Sequence, residues 1–300
     1  MTNYFFPLIF VLLWSSAFVS AKIGLEYATP FAFLALRFIV VLFIFLSAYL
    51  LALCWRSVFK IENNNFAEVQ TKGSLILTAI VGLLLQGFYL GSCFYAIWLG
   101  VGAALTGLIV SMQPLLTTVS AIFFLGERPK LLQWIGIFIG FLGVVVVLSP
   151  SLQIDTPIIG YIAPCIGLIS ITLGTLIQKR IGNRVSLLKS NVIQSAAVSL
   201  LFLILIFTVE KPQVNFQFEF VAALIWQVLA VSSGAYIILL ILIKKNSVAA
   251  TTSLMFLVPP VIAILAFLIL NEPLTPTILT GFLMASIGVF LVTKRDNQNN

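Results

Sequence analysis

Residues 120–143 read SAIFFLGERPKLLQWIGIFIGFLG, and residues 265–288 read LAFLILNEPLTPTILTGFLMASIG. At this offset of 145 residues, Glu127 falls opposite Glu272, and two glycines of the first segment fall opposite two glycines of the second. Matches between apolar residues are expected by chance in so apolar a chain. Glutamates and glycines that keep the same mutual spacing are not, so the two segments predict an internal repeat.

The repeat extends beyond these segments. Residues 104–147 align with residues 249–292, and Pro114 falls opposite Pro259. Earlier in each half, a weaker match at an offset of 157 residues pairs Pro7 with Pro164, Ser15 with Thr172, and Lys22 with Lys179. The chain is therefore predicted to consist of two similar domains, residues 1–149 and residues 150–300.

The composition is that of a membrane protein. Hydrophobic side chains make up 61% of the chain and charged ones 8%, whereas soluble domains are about half apolar and about a quarter charged. A membrane-spanning helix needs about 20 residues, and ten apolar runs of about that length are present. Their predicted bounds are about 4–22, 30–53, 74–97, 102–125, 131–149, 158–178, 187–209, 220–243, 248–270 and 275–293. The connector at about 54–73 is predicted to be a flexible loop.

Ten spans in two repeats give five spans to each repeat. Because five is odd, the second repeat must enter the membrane from the opposite side, so the two halves are inverted. Inverted repeats that meet near the bilayer midplane are typical of secondary transporters. The predicted fold is an all-α polytopic membrane protein with ten transmembrane helices arranged as two inverted five-helix repeats.

The basic residues predict the orientation in the membrane. Of the 16 Lys and Arg residues, 13 fall on the side of the N-terminus and the C-terminal tail, and only Lys22 and Lys211 fall on the other side. Because Lys and Arg collect on the cytoplasmic side, both termini are predicted to be cytoplasmic. The net charge of +7 then records topology rather than nucleic-acid binding. No Lys or Arg precedes the first apolar run, which is therefore expected to stay as a helix and not to be cleaved.

Several motifs resemble those of the EamA-type members of the drug/metabolite transporter superfamily. They are a mid-helix proline, then Leu-Gly-Glu-Arg-Pro and a glycine-containing helix, repeated in the second half, together with Trp14-Ser15, Lys22 and Leu36-Arg37-Phe38. The resemblance covers essentially the whole chain. It implies a bacterial inner-membrane protein with a central cavity formed mainly by spans 1–4 and 6–9, and with spans 5 and 10 at the periphery. The substrates of the family include amino acids and their derivatives, sugars, nucleotide-linked compounds and drugs.

A solute site in such a bundle is expected near the midplane. The polar and aromatic residues that fall about halfway along the predicted spans include Trp14, Ser15, Gln86, Tyr89, Ser111, Gln113, Thr172, Ser232, Tyr236 and Phe256. Pro114 and Pro259 each remove one helical hydrogen bond and leave a carbonyl free to bind a ligand or to let the helix bend. A nearby Ser or Thr could instead satisfy that carbonyl in a static kink. The matched positions of the two prolines favour a gating role.

Arg37 is the one full charge well inside a predicted span. At such a depth an Arg costs about 2.5 to 3.5 kcal/mol on insertion scales and usually faces the bundle interior or a water-filled cavity. Two roles stay open for Arg37. It could bind an anionic group such as a substrate carboxylate, or it could join helices by donating hydrogen bonds to carbonyls or to Glu272. Gln194, its counterpart in the repeat, carries no charge. For Glu127 and Glu272, pairing with a helix end or a basic side chain is expected rather than proton coupling.

The same scarcity of charge limits the chemistry. The chain has no His and no Asp or Glu halfway along any predicted span, which excludes most enzyme mechanisms and a buried carboxylate relay. The sequence therefore predicts a secondary transporter for a small metabolite, with export of amino acids or their derivatives as the leading hypothesis. The alternatives are a carrier or flippase for nucleotide- or sugar-linked compounds and a non-transporting assembly factor.

No cofactor or metal is predicted, and the partners are a small-molecule solute and the lipid bilayer. Spaced glycines in span 5, Gly136 and Gly140, allow close helix approach. Such spacing usually packs helices within one chain, but it leaves open a homodimer through span 5 or span 10 as well as a monomer.

Overall fold

The computed structural model describes residues 5–59, 71–116, 120, 131–151, 156–181, 185–236, 238 and 257–293. These residues form ten helices, and each coincides with one predicted span. Their bounds are α1 Phe5–Leu25, α2 Pro30–Phe59, α3 Lys72–Trp98, α4 Ala103–Ser111, α5 Leu131–Ser151, α6 Ile158–Ile181, α7 Leu187–Thr208, α8 Phe218–Ala235, α9 Val258–Leu270 and α10 Pro276–Thr293.

By length and apolar composition, six of the ten helices could cross a membrane. These are α1, α2, α3, α6, α7 and α8. The other four contain shorter apolar stretches, which are Ala103–Leu116, Leu131–Val147, Val258–Leu270 and Pro276–Gly288. Large apolar side chains also cover the outside of the bundle, as Leu131 (77% exposed) and Phe207 (82% exposed) show. Helices that are apolar both inside and outside the bundle are those of a multi-pass membrane protein.

The helix α2 is longer than predicted. It continues through residues 54–59, which the sequence assigned to a flexible loop. The loop prediction was wrong there because the apolar run ends at about residue 53, whereas the helical backbone continues past it. The extension carries Trp55 and Arg56, residue types enriched at membrane interfaces and cytoplasmic ends.

Two helices contain a π-helical segment, in which the backbone turn is wider than in an α-helix. The segments are Leu83–Phe88 in α3 and Trp226–Ala235 in α8. The Ser233 hydroxyl donates to the Val228 carbonyl, five residues earlier, at 3.0 Å. Segments of this kind are rare and often occur at functional sites. They therefore draw attention to the middle of spans 3 and 8.

The helices α5 and α10 pack mainly against each other through glycines. A Cβ atom on Gly288 would lie 2.5 Å from the Gly140 nitrogen, and one on Gly143 would lie 2.7 Å from the Gly281 oxygen. Only glycines allow two backbones to come this close. The predicted close approach through the glycines of span 5 is thus made within one chain.

The connectors before α2, α4, α8 and α10 meet at one end of the bundle. We call it the Glu272 end, after a residue of the connector before α10. The connectors before α2 and α8 form an antiparallel bridge between Ala28 and Val214. The carboxylate of Glu210 accepts hydrogen bonds from the first amides of α2, the shorter one from Ala32 N at 2.7 Å. These contacts join the N-terminus of α2 to the connector that follows α7.

Candidate functional site

A small cavity of about 30 Å³, partly open to the surroundings, lies between α1, α4, α6 and α9. Four of the residues predicted for the site line it, and its apolar walls complete it. The lining residues are Trp14, Phe18, Gly107, Val110, Ser111, Gln113, Pro114, Ile171 and Val258. A largely apolar cavity with a few polar groups is the usual form of a small-molecule site.

The helix α4 is interrupted where it meets the cavity. Its regular part ends at Ser111, and Met112 has a ψ of 2° before a short helical stretch that contains Pro114. The hydroxyl of Ser111 donates to the Leu108 carbonyl at 2.7 Å. The helix is thus interrupted two residues before Pro114, and the Ser111 hydroxyl satisfies a carbonyl in the turn before the interruption.

The helix α9 begins just before Pro259 in the described part of the chain. The preceding Leu257 has a ψ of −17°, and Pro259 lies in the first turn. A proline there removes no helical hydrogen bond, because the first amides of a helix have no partner within it. In the described residues Pro259 thus starts a helix instead of kinking its middle. The predicted wall residue Phe256 lies outside the described residues.

Two small polar residues of the predicted site are used inside the bundle. The hydroxyl of Ser15 donates to the Val258 carbonyl at 3.3 Å and so joins α1 to α9. The hydroxyl of Thr172 donates to the Leu168 carbonyl of its own helix at 2.7 Å. Both side chains are buried. The structure therefore places them behind the cavity wall and not in its lining.

Gln86 and Gln194 form a second polar cluster away from the lining of the cavity. The Gln86 amide donates to the Gln194 side-chain oxygen at 2.9 Å, and the Gln194 amide donates to Ser190 at 3.1 Å and to Gln178 at 3.4 Å. Gln194 is fully buried. These bonds join α3, α6 and α7, which accounts for most of the hydrogen-bonding capacity of the two predicted site residues.

Arg37 is buried in α2 with 3% of its surface exposed. Its Nε donates to the Ser232 hydroxyl at 3.0 Å, within the π-helical segment of α8. Its Nη1 is buried and has no hydrogen-bond partner. Tyr89, directly after the π-helical segment of α3, is also buried. The structure thus brings Arg37 together with Ser232, another predicted site residue, while Tyr236 lies partly buried directly after the same π-helical segment.

Glu272 does not pair with Arg37, so that part of the prediction was wrong. Its Oε1 accepts hydrogen bonds from Lys22 Nζ at 2.8 Å and from Ala103 N at 2.9 Å, and its Oε2 accepts one from Ala104 N at 3.4 Å. The expectation of pairing with a helix end and a basic side chain is confirmed. Glu127, its counterpart in the repeat, lies outside the described residues.

The sequence missed the apolar walls of the cavity, although helical spacing pointed to several of them. Phe18 follows Trp14 by four residues, and Gly107 and Val110 precede Ser111 and Pro114 by four. Residues four apart share a helix face. The four-residue spacing was visible in the sequence, but it does not distinguish wall residues from the apolar residues that are common in every span.

Comparisons with known proteins give a consistent result. A sequence model of the EamA-like transporter family matches residues 1–149 and 158–294. The uncharacterized transporter YvbV of Bacillus subtilis (strain 168) is 26% identical over 194 residues, which is 64% of this chain and 64% of that protein. A solved crystal structure aligns over 96% of this chain and 95% of its own with a TM-score of 0.66 and 20% identity, which supports the fold alone.

Proposed function

Because this chain belongs to the EamA-like transporter family, we propose that it is a secondary transporter that moves small metabolites through the cavity between α1, α4, α6 and α9. The observation that carries the proposal is the cavity itself, which combines walls from both halves of the chain with an interrupted helix. Interrupted helices at the site are typical of secondary transporters. The solute that we propose is an amino acid or a derivative, moved out of the cell.

The inverted repeat is supported by pairs of features that share one offset. Met112, where α4 is interrupted, and Leu257, which precedes the described part of α9, are 145 residues apart. A Cβ on Gly143 would meet the Gly281 oxygen, and one on Gly288 would meet the Gly136 oxygen. Shifting either glycine pair by 145 residues produces the other, as expected for two helices related by a pseudo-two-fold axis.

The polar contacts support the same arrangement. Arg37 of α2 donates to Ser232 of α8, and Gln194 of α7 accepts from Gln86 of α3. Spans 2 and 7 are counterparts, as are spans 3 and 8, and the two π-helical segments lie in spans 3 and 8. The cavity then lies on the proposed axis. We propose alternating access by rocking of the two halves, with Pro114 beside the interruption of α4, Pro259 at the start of α9, and the Glu272 end closed in this conformation.

The test of transport is a flux measurement with purified protein in liposomes. We expect uptake or exchange of at least one member of a radiolabelled panel of amino acids, their derivatives, sugars and nucleotide-linked compounds, with and without a pH gradient. Flux of none of them, together with no change in melting temperature on adding any, would reject the transport function. Flux of nucleotide-linked compounds alone would replace the amino acid as the substrate class.

Trp14 is expected to be important for flux because its indole forms a wall of the cavity. We expect Trp14→Ala to lower the flux of the best substrate at least several-fold, since it removes a large part of that wall. Trp134→Ala is the matched control, because Trp134 lies on α5 with 49% of its surface exposed. Equal effects of the two substitutions would place the solute elsewhere.

The count of basic residues supports a bacterial inner-membrane orientation with the Glu272 end outside. We expect a cytoplasmic reporter enzyme fused after Asn300 to be active. The same reporter fused to a chain truncated after Lys211, at the Glu272 end, should be inactive, because that connector lies outside. The opposite pattern would overturn the orientation.

A further inference from the structure

Arg37 is a buried cation whose charge is not balanced among the described residues. Among those residues its one hydrogen bond runs from Nε to the Ser232 hydroxyl. The buried Nη1 has no hydrogen-bond acceptor. The ring of Phe38 lies 5.3 Å from the guanidinium carbon. A buried charge is unfavourable unless it is paired and hydrogen-bonded. The guanidinium therefore has both an open donor and an unmet need for an anion.

None of the four described carboxylates pairs with Arg37, and two of them, Glu26 and Glu219, are exposed. Glu272 binds Lys22 and the first amides of α4, and Glu210 caps the start of α2. In the part of the chain that the structure describes, Lys22–Glu272 is the one ion pair. An anion for Arg37 must then come from outside the described residues, and the chain has no acid halfway along any predicted span.

The position of Arg37 is suited to a ligand. Ser232 belongs to the π-helical segment of α8, and Tyr89 directly follows the one in α3. The wide turn of α8 therefore lies directly against the buried guanidinium. Such turns often mark functional sites because they displace backbone groups from their regular partners. An intramembrane charge of this kind is by default a functional residue.

We infer that Arg37 binds the carboxylate of the transported solute through Nη1, which rests on the transport function proposed above. Arg37 does not line the cavity in this conformation, so the solute reaches it only when the two halves rock apart. A single guanidinium balances the single charge of a carboxylate. A phosphate or diphosphate would bring more negative charge than one Arg can compensate. The inference therefore narrows the solute to small monocarboxylates, including amino acids, and disfavours phosphorylated compounds.

The experiment compares each acid with its own amide. Amino acids and small hydroxy and oxo acids are offered to the purified full-length protein in liposomes, each beside the amide, which keeps the side chain but lacks the charge. We expect flux of at least one acid to exceed that of its amide about tenfold or more in the unaltered protein. Arg37→Gln should lower the flux of that acid about tenfold and leave the flux of the amide within about twofold.

Three further variants make the result specific. Arg37→Lys keeps the charge and should retain more acid flux than Arg37→Gln. Ser232→Ala removes only the partner of Nε and should keep the preference for the acid. Lys72→Gln removes a charge from the exposed start of α3 and should change nothing. Melting temperatures with and without each acid give a second readout that does not depend on flux.

The outcomes separate the two proposals. Equal flux of acid and amide in the unaltered protein, or equal loss of both in Arg37→Gln, would overturn the carboxylate site and keep the transport function. Stabilisation by an acid that Arg37→Gln abolishes, without any flux, would keep the anion site and overturn transport. Neither flux nor stabilisation by any acid would overturn both.

Discussion

Replacing Gly288 with alanine is expected to lower the free energy of unfolding by about 2 to 3 kcal/mol, because the added methyl has no space. Its Cβ would lie 2.5 Å from the Gly140 nitrogen and 2.6 Å from the Gly136 oxygen. Both are backbone atoms, so α5 and α10 must move apart over their whole contact. Alanine usually favours a helix over glycine by about 1 kcal/mol, and the clash must exceed that gain. Equilibrium unfolding in mixed micelles measures the difference.

Gly73→Ala is the matched control for this substitution. It is also a glycine in a helix, but a Cβ there would meet only the Thr71 hydroxyl, at 3.8 Å. We expect it to change the free energy of unfolding by no more than about 0.5 kcal/mol, or to raise it. If Gly288→Ala were as stable as the control, the direct contact between the backbones of α5 and α10 would be wrong.

The helices themselves could be predicted from the sequence, because hydrophobic length is a local property. Every predicted span overlaps one of the ten helices, and the interruption of α4 follows from Pro114, which lacks the amide that a helix needs. The glycines of α5 and α10 were also visible, since their offset survives in the sequence. Only the continuation of α2 to Phe59 was missed, because its last turns are not continuously apolar.

The partners of polar side chains could not be predicted in the same way. Lys22 and Glu272 are 250 residues apart, and Arg37 and Ser232 are 195 apart. Which pairs meet depends on how the helices pack, and the spacing within one helix does not contain that information. The sequence therefore identified Arg37 and Glu272 as notable, but the pairing that it left open between them is not made.

The predicted site was separated into three parts for the same reason. Depth in the membrane selected the residues, but depth does not say which face of a helix is turned to the cavity. Trp14 and Gln113 line it, Gln86 and Gln194 bond to each other, and Thr172 bonds to its own helix. The π-helical segments were also not indicated by the sequence. One of them contains Ser232 and sets the direction in which its side chain points.

Replacing Glu272 with alanine is expected to destabilise the closed Glu272 end by about 2 kcal/mol, the sum of a lost helix cap and a lost charge-assisted bond. One carboxylate accepts hydrogen bonds from Lys22 Nζ at 2.8 Å and from Ala103 N at 2.9 Å. It is mostly buried, with 15% of the side chain exposed. Its removal leaves the ammonium group without its partner and the first amides of α4 without an acceptor.

Under alternating access, the same energy sets the population of the closed state. A loss of about 2 kcal/mol changes that population about 30-fold. The hydrogen bond from Ala103 N to Glu272 breaks when this end opens. A cysteine introduced by Ala103→Cys, in a chain whose three native cysteines are replaced, therefore becomes accessible in the open state. A membrane-impermeant maleimide, added from outside, should label that cysteine faster when Glu272→Ala is also present, since Ala103 is fully buried in the closed end.

Lys22→Ala tests whether the carboxylate acts through the ion pair or through the helix cap. That substitution removes the ammonium group but leaves Glu272 bonded to Ala103 and Ala104. Because the cap remains and the exposed part of an ion pair contributes little, it should accelerate labelling less than Glu272→Ala does. Glu272→Gln should lie between the two, since an amide oxygen still accepts from the helix but carries no charge. Labelling rates that do not differ among the variants would mean that another contact, such as the cap that Glu210 makes on α2, closes this end.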